Sequence, residues 1–289
     1  MAVANSRRAN EKQARGAQPM ERLAGRTLTP AALLDRFSGD ANFMASLARG
    51  LAVIQAFSME KRQQTISQLS IKTGLSRAAV RRCLYTLSKL GLAGSDDSRH
   101  FFLQPRILSL GHSYISSMPL AASAQPVMRH LSEILHESCS IATLDGIDVV
   151  YVARVNVTRI MSIDLVVGSR LPAFCTSMGR VLLANLAAAE LETFFERVQF
   201  TSFTERTIVS AEKLRQALRL VLRNGYSLVD QELEVGLRSM AVPIRNPNGK
   251  VVAALNVGVH AQRLSVQELQ NRFLPHLQAA AQELSMLLN

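Results

Sequence analysis

The stretch Ile66–Gly91, ISQLSIKTGLSRAAVRRCLYTLSKLG, decides the first half of the fold. Ile66, Leu69 and Ile71 give a first short helix its apolar residues. Thr73-Gly74-Leu75 is the turn, because Gly74 enters left-handed backbone at low cost. Ser76 is a good N-cap for a second helix, since its hydroxyl accepts a first-turn N–H. In that helix Val80, Cys83, Leu84 and Leu87 recur at spacings of three and four and face inward. Arg77, Arg81 and Tyr85 lie four apart on the opposite side, with Ala78 and Arg82 beside them. The pattern is a helix-turn-helix whose second helix enters the major groove of double-stranded DNA. The planar guanidinium suits guanine edges and phosphates, and small Ala78 lets the helix approach closely. An ordinary helix with a solvated basic face would share the arginines, but not the glycine turn and N-cap in front of them.

Upstream, Leu47, Leu51, Ile54 and Phe57 form a stripe at helical spacing, predicting a helix that packs beneath the other two. Arg49 on it joins Ser76, Arg77, Ala78, Arg81, Arg82 and Tyr85 as a DNA-facing candidate. Downstream, LAGSDDSRHFFL (Leu92–Leu103) reads as two short strands around a polar turn, a wing that lies along the sugar-phosphate backbone. Arg99 and His100 are its candidates for contact. Asp96 and Asp97 repel phosphate, so the tip itself is expected to point away. The segment RILSLGHSYISS then carries Ile107, Leu108, Leu110, Tyr114 and Ile115 as an apolar stripe. It packs on its own chain or on a second copy. Dimerisation is the favoured reading, because helix-turn-helix proteins usually read paired half-sites.

Charge agrees with this division. Residues 41–110 hold ten Lys/Arg against three Asp/Glu, a net of +7, while residues 111–289 are near neutral at +1, of a total of +11. A polyanion-binding module joined to a neutral one is the natural reading. The three cysteines, Cys83, Cys139 and Cys175, form no CxxC pair, which leaves neither a zinc site nor a disulfide framework and suits a reducing cytoplasm. No run of about 18 apolar residues is available to span a membrane, and Arg7-Arg8 lack the apolar segment of a secretory signal.

The second half reads as α+β. Pro119–Pro126 suggests a hinge, followed by a helix over Val127–His136. Strands are expected at Ser138–Leu144, Ile147–Val155 and Ile160–Val167, with Asp145-Gly146 as a hairpin turn. Helices follow at Ser177–Leu186, Ala188–Val198 and Ser210–Asn224. Strands resume at Tyr226–Glu232, Arg238–Arg245 and Val251–His260, and a final helix covers Ser265–Leu288. An antiparallel sheet with segregated helices results. GxSxG, Walker, GxGxxG and HExxH motifs are absent, and His112, His130, His136, His260 and His276 fall at no metal-ligand spacing. No catalytic site, metal or cofactor is expected. Alternation puts Asp230, Glu232 and Glu234 on one strand face, as solvated or ion-paired carboxylates.

What remains is a pocket. One face of Val251–His260 presents Val252, Ala254, Asn256 and Gly258, a polar amide among small residues. Ser239, Ala241 and Pro243 are similarly small. Thr176-Ser177 begins a helix, whose free N–H groups and positive end suit a carboxylate, and Met178 offers a soft apolar wall. Two readings of Ser177 and Asn256 stand together at this point. They bind a ligand, or Ser177 is only an N-cap and Asn256 only ties off a loop. Arg154 shares a strand face with Val150 and Val152, and suits an acidic ligand and an inter-strand or interface ion pair equally.

Several long segments in order, SLARGLAVIQAF, LSIKTGLSRAAVRRCLYTLSKLG, PRILSLGHSYISS, GSRLPAFCTSMGRVLLA and GYSLVDQELEVGLRSMAVPIRNPNGKVVAALNVGV, resemble the IclR-type transcriptional regulators over residues 43–289. The last two look most like the Pca/Pob-type subgroup, which governs breakdown of aromatic acids through the β-ketoadipate route. Residues 1–42, polar and rich in Ala, Arg and Gln, read as a flexible tail with one short helix after Thr29-Pro30, where proline suits a helix start. The resemblance implies a winged helix-turn-helix (43–104), a linker helix (105–121) and a GAF-like effector domain (122–289). It implies a homodimer, with further association towards a tetramer through the effector domains. The expected function is a transcription factor that binds an operator, with a small organic acid shifting its affinity or its contact with RNA polymerase; an enzyme or small-molecule carrier with an accessory nucleic-acid domain, and an architectural DNA binder without a ligand, are the alternatives. By match to the family, the acid is lined by Ile160, Ile163, Ser177, Met178, Asp230, Leu237, Ser239, Asn256 and Gly258.

Overall fold

The computed structural model describes residues 29–57, 61–97, 99–117, 119–157 and 165–288. They divide after Tyr114 into two compact units. Positions 1–28 of the expected tail lie outside the described residues.

The first unit contains α1 (Pro30–Asp35), α2 (Ala45–Gln55), α3 (Ile66–Thr73) and α4 (Arg77–Lys89), then β1 (Ala93–Ser95) and β2 (Phe101–Leu103). A capping box starts α3: the Gln68 N–H donates to Thr65 Oγ1 at 3.2 Å, and the Thr65 N–H donates to the Gln68 side chain at 2.8 Å. Gly74 ends it at φ 74°, where an added Cβ would meet the Ala31 Cβ at 3.0 Å. The Ser76 hydroxyl caps α4 by accepting the Ala79 N–H. The strands form an antiparallel wing, extended by a bridge between Gln64 and Phe101. Val53, Leu69, Leu75, Val80, Leu84, Leu87 and Ala93 form the core, each larger side chain contributing about 1.5–3 kcal/mol by burial.

Three expectations change here. The short helix expected after Thr29-Pro30 is present as α1, but it does not belong to a tail running to residue 42, since its Ala31 and Leu34 pack on this core. Leu47 and Leu51 are 58% and 47% exposed, because α2 turns the smaller Ala52 and Val53 toward α4. Ile71 is 80% exposed, so Leu69 and the buried Thr73 fix α3 without it.

Beyond a 3₁₀ turn at Pro105–Ile107 come α5 (Leu108–Ser116) and α6 (Pro119–Leu135). The single linker helix over 105–121 is therefore several pieces, and Leu120 already belongs to the second unit's core. The expected hinge at 119–126 is helix. A proline inside a helix costs about 3 kcal/mol; burial of Leu120, Ala124, Val127, Met128, Leu131 and Leu135 outweighs Pro126.

The second unit continues with β3 (Cys139–Asp145), β4 (Asp148–Val155), β5 (Arg170–Pro172), α7 (Ser177–Ala184), α8 (Ala188–Arg197), α9 (Ala211–Asn224), β6 (Ser227–Asp230), β7 (Leu237–Arg245) and β8 (Val251–His260). A helical turn at Val266–Glu268 and a π-helical turn at Leu269–Phe273 lead into α10 (Leu274–Met286). The final helix is thus interrupted ahead of Pro275, which has no N–H to continue it. The expected strand over 160–167 lies mostly outside the described residues, and β5 is the strand that pairs with β4.

The strands form one antiparallel sheet in the order β5-β4-β3-β8-β7-β6. One face packs Ile141, Met240, Val242, Ile244, Leu255 and Val257 against α6 and α10. The other receives α7, whose eight residues are all buried, with α9 outside it. Register places Arg154, Ser140, Asn256, Ala241 and Ser227 in one row across that second face, with Gly258 and Ser239 paired in the next.

Candidate functional site

The first unit presents a cationic face. On α4, Arg77, Ala78, Arg81, Arg82 and Tyr85 are all exposed, while Val80, Leu84 and Leu87 are buried. One helix thus separates a packing side from a free side. Exposed Arg49 on α2 flanks it, close enough that its charge acts on Cys83 of α4; burial nevertheless keeps that thiol above its ordinary value. Lys89 Nζ lies 5.4 Å from the Tyr85 ring centre, adding a cation beside an exposed aromatic. Arg99 and His100 occupy the wing tip, both exposed. Asp97 organises that tip by accepting the Arg99 and His100 N–H groups at 2.9 and 3.0 Å, which hold its carboxyl below the usual range. Asp96 accepts from Gln63 Nε2. Both carboxylates are engaged within the unit, Asp97 by the wing's own N–H groups and Asp96 by Gln63 ahead of α3, a role that charge alone did not suggest.

In the second unit the pocket candidates separate. Thr176, not Ser177, caps α7: its hydroxyl accepts the Gly179 N–H at 3.2 Å. Ser177 is 1% exposed and its hydroxyl has no hydrogen-bond partner, which removes the N-cap explanation. Asn256 Oδ1 and Ser227 Oγ are likewise buried without partners. A buried polar atom left unpaired costs about 1–3 kcal/mol, so three on one side of a sheet call for an outside partner. Ser239 and Gly258 lie on that face, and an added Cβ at Gly258 would meet Leu237 Cδ1 at 3.8 Å. Buried Met178 follows Ser177 on α7. Ile160 and Ile163 lie outside the described residues.

Asp230 is not brought to this face. It pairs in register with Arg238, on the face opposite Ser239, and its carboxylate binds Arg238 Nε at 2.8 Å and Arg206 at 2.6 Å. Burial alone would raise that carboxyl, but the two arginines hold it below its ordinary value. The strand ends there because Gln231 takes φ 61°, which breaks the alternation that had put Asp230, Glu232 and Glu234 together. Glu232 turns inward instead. It meets Arg180 of α7 at 2.6 Å, with both side chains buried, and accepts the Ile208 N–H at 3.0 Å. Arg180 Nε also donates to the Phe174 carbonyl. This pair fastens α7 to the loops before α9 and after β6. Sequence reading missed it, although an arginine inside the apolar run SMGRVLLA was its signal.

Two family models match the chain: IclR helix-turn-helix domain over residues 46–97, and Bacterial transcriptional regulator IclR C-terminal over residues 112–286. The Pca regulon regulatory protein of Pseudomonas putida is 52% identical over 257 residues, covering 89% of this chain and 88% of that one. A transcriptional regulator from Rhodococcus sp. RHA1 superposes with a TM-score of 0.76 at 46% identity, over 85% of this chain and 98% of that one. The inducer-binding domain of the PobR transcription factor from Acinetobacter, solved as a double mutant with 3-hydroxybenzoic acid, gives a TM-score of 0.53 at 32% identity, over 56% of this chain and 95% of that one.

Proposed function

The chain belongs to the IclR family of bacterial transcriptional regulators, in its Pca/Pob-type subgroup; it is a regulator and not an enzyme, and from that premise we propose that a small organic acid, aromatic or of the β-ketoadipate type, controls its grip on an operator. The observation that carries the reading is the set of unpartnered polar atoms on Ser177, Asn256 and Ser227, on the sheet side that α7 covers. They form a polar floor that a bound acid would satisfy. Met178, Leu237, Ser239 and Gly258 supply apolar contact and room beside them. The PobR inducer-binding domain with 3-hydroxybenzoic acid supports the same class of ligand.

Arg49, Arg77, Arg81, Arg82, Tyr85, Arg99 and His100 are the residues proposed to meet DNA, with Ser76 and Ala78 letting α4 approach. The protein works in the cytoplasm as a homodimer, with tetramer formation and RNA polymerase contact as further steps. Exposed Met44, Leu47 and Leu51 on α2, and Leu108, Leu110 and Tyr114 on α5, supply the apolar surface for pairing. No helix among the described residues is long and apolar enough to cross a membrane.

Gel-shift titration of a cognate operator tests both halves. Arg81→Ala should weaken binding by about 1–3 kcal/mol, the usual worth of a specific base contact. Ser239→Leu should leave acid-free operator affinity unchanged and abolish its response to 4-hydroxybenzoate, protocatechuate or β-ketoadipate. Intact binding by Arg81→Ala would remove α4 as the reading helix. An intact acid response in Ser239→Leu would remove this sheet face as the pocket.

A further inference from the structure

A small acid needs a counter-charge, and the cations nearest the pocket are mostly engaged elsewhere. Arg180 is closed off by Glu232. Arg238 lies on the opposite face with Asp230. Arg154 differs. It stands opposite Ser140 in the row that continues to Asn256, so its side chain shares the face with the unpartnered Asn256 Oδ1. Its guanidinium donates through Nε to Asn156 Oδ1 at 2.5 Å and through one terminal nitrogen to Ser140 Oγ at 2.7 Å. Ser140 is buried and Arg154 is half-buried. A guanidinium carries five N–H donors, and these two bonds use two of them. No described carboxylate pairs with it, although partial burial disfavours an uncompensated charge. Ser140 and Asn156 hold the fork in one orientation, which is the preorganisation that tight anion binding needs.

We propose that Arg154 is the residue that receives a carboxylate of the effector, and that the unpartnered Asn256 Oδ1 and Ser177 hydroxyl receive the ligand's second polar group. The assignment rests on the pocket reading above. A planar fork grips a carboxylate through two parallel charge-assisted bonds, a stronger hold than the partial charge at the start of a short helix. Ser140 lies between Arg154 and Asn256 in that row, and the small side chains of Ala241, Ala254 and Gly258 surround Asn256 on the same face, leaving room for a planar acid. The site therefore selects anions: an ester or amide of the same ring lacks the charge that Arg154 complements.

The test uses the full chain and isothermal titration with 4-hydroxybenzoate, 3-hydroxybenzoate and β-ketoadipate, each beside its neutral amide. The wild type should prefer an acid over its amide. Arg154→Met should lose at least about 30-fold in affinity for that acid, the factor matching one charge-assisted hydrogen bond, while amide affinity moves less than about threefold. Arg154→Lys should recover part of the loss. Equal losses for acid and amide would make Arg154 a merely structural residue and overturn the proposal. Undiminished acid binding by a folded Arg154→Met protein overturns the Arg154 assignment alone. Failure of the wild type to bind any of the acids overturns the pocket reading and this assignment with it.

Discussion

At the scale of single residues, two buried carboxylates behave in opposite ways. Glu232 is compensated by Arg180 and the Ile208 N–H. Removing one partner of such a pair strands a charge, whereas replacing both with apolar groups is often neutral. Arg180→Met should therefore cost about 3–5 kcal/mol in urea unfolding, and Arg180→Met with Glu232→Leu should recover most of it. A double variant as unstable as the single one would show that the pair stabilises by more than mutual compensation. Glu137 is also buried, but its partner Arg263 is half-exposed. Burial pushes its carboxyl up to about 7, against the lowering charges of Arg263 and His136. A carboxyl whose folded value lies above its unfolded one adds stability below the unfolded value, and that stability is lost as pH rises to the folded value. Wild-type stability should thus fall from about pH 4.5 to about pH 7, by an amount on the order of 2–3 kcal/mol. Glu137→Gln should flatten that slope. Parallel stability curves for the two proteins, followed by urea unfolding across this range, would discard the assignment.

At the scale of elements, α7 is placed by a close backbone approach. An added Cβ at Gly179 would stand 2.1 Å from the Ala173 carbonyl oxygen, and backbone gives way poorly. Gly179→Ala should therefore destabilise the second unit by at least about 1–3 kcal/mol. It should also weaken acid binding by shifting Ser177, which a thermal melt with and without ligand would read. An unchanged melt would mean that α7 is free to move. This approach was not legible beforehand, because a glycine in a helix gives no sign of what it touches. Elements with strong local signals were legible: the Gly74 turn, the Ser76 cap, the inward face of Val80, Leu84 and Leu87, and the period-two pattern of β8. Elements decided by distant packing were not. Ala52 and Val53 face the core in place of Leu47 and Leu51, and α6 runs through Pro126. The site divides in the same way. Ser177, Ser239 and Asn256 were visible from residue size and polarity in their elements. Ser227 and the Arg180–Glu232 pair were not, since they depend on which strands become neighbours and on the left-handed Gln231 that ends β6.

At the scale of the whole molecule, the cationic face and the exposed apolar surface of the first unit make one joint prediction. Each phosphate contact contributes about −0.9 to the slope of log affinity against log salt. A homodimer brings every contact twice, so Arg82→Ala should reduce the magnitude of the slope by about two units; a monomer would lose about one. The pairing surface can be broken separately. Leu47 and Leu51 are more than two-fifths exposed on one side of α2, and a charge there could not be desolvated against an identical charge on a second copy. Leu47→Glu with Leu51→Glu should then sediment as a smaller species, since neither side chain supports the core. Its operator affinity should fall steeply, because two half-sites are no longer read by linked subunits. In that background the further change Arg82→Ala should lower the salt slope by only about one unit. A double glutamate variant that keeps its mass and a two-unit effect of Arg82→Ala would move the dimer contact away from α2. α5, with exposed Leu108, Leu110 and Tyr114, would then be the surface to change.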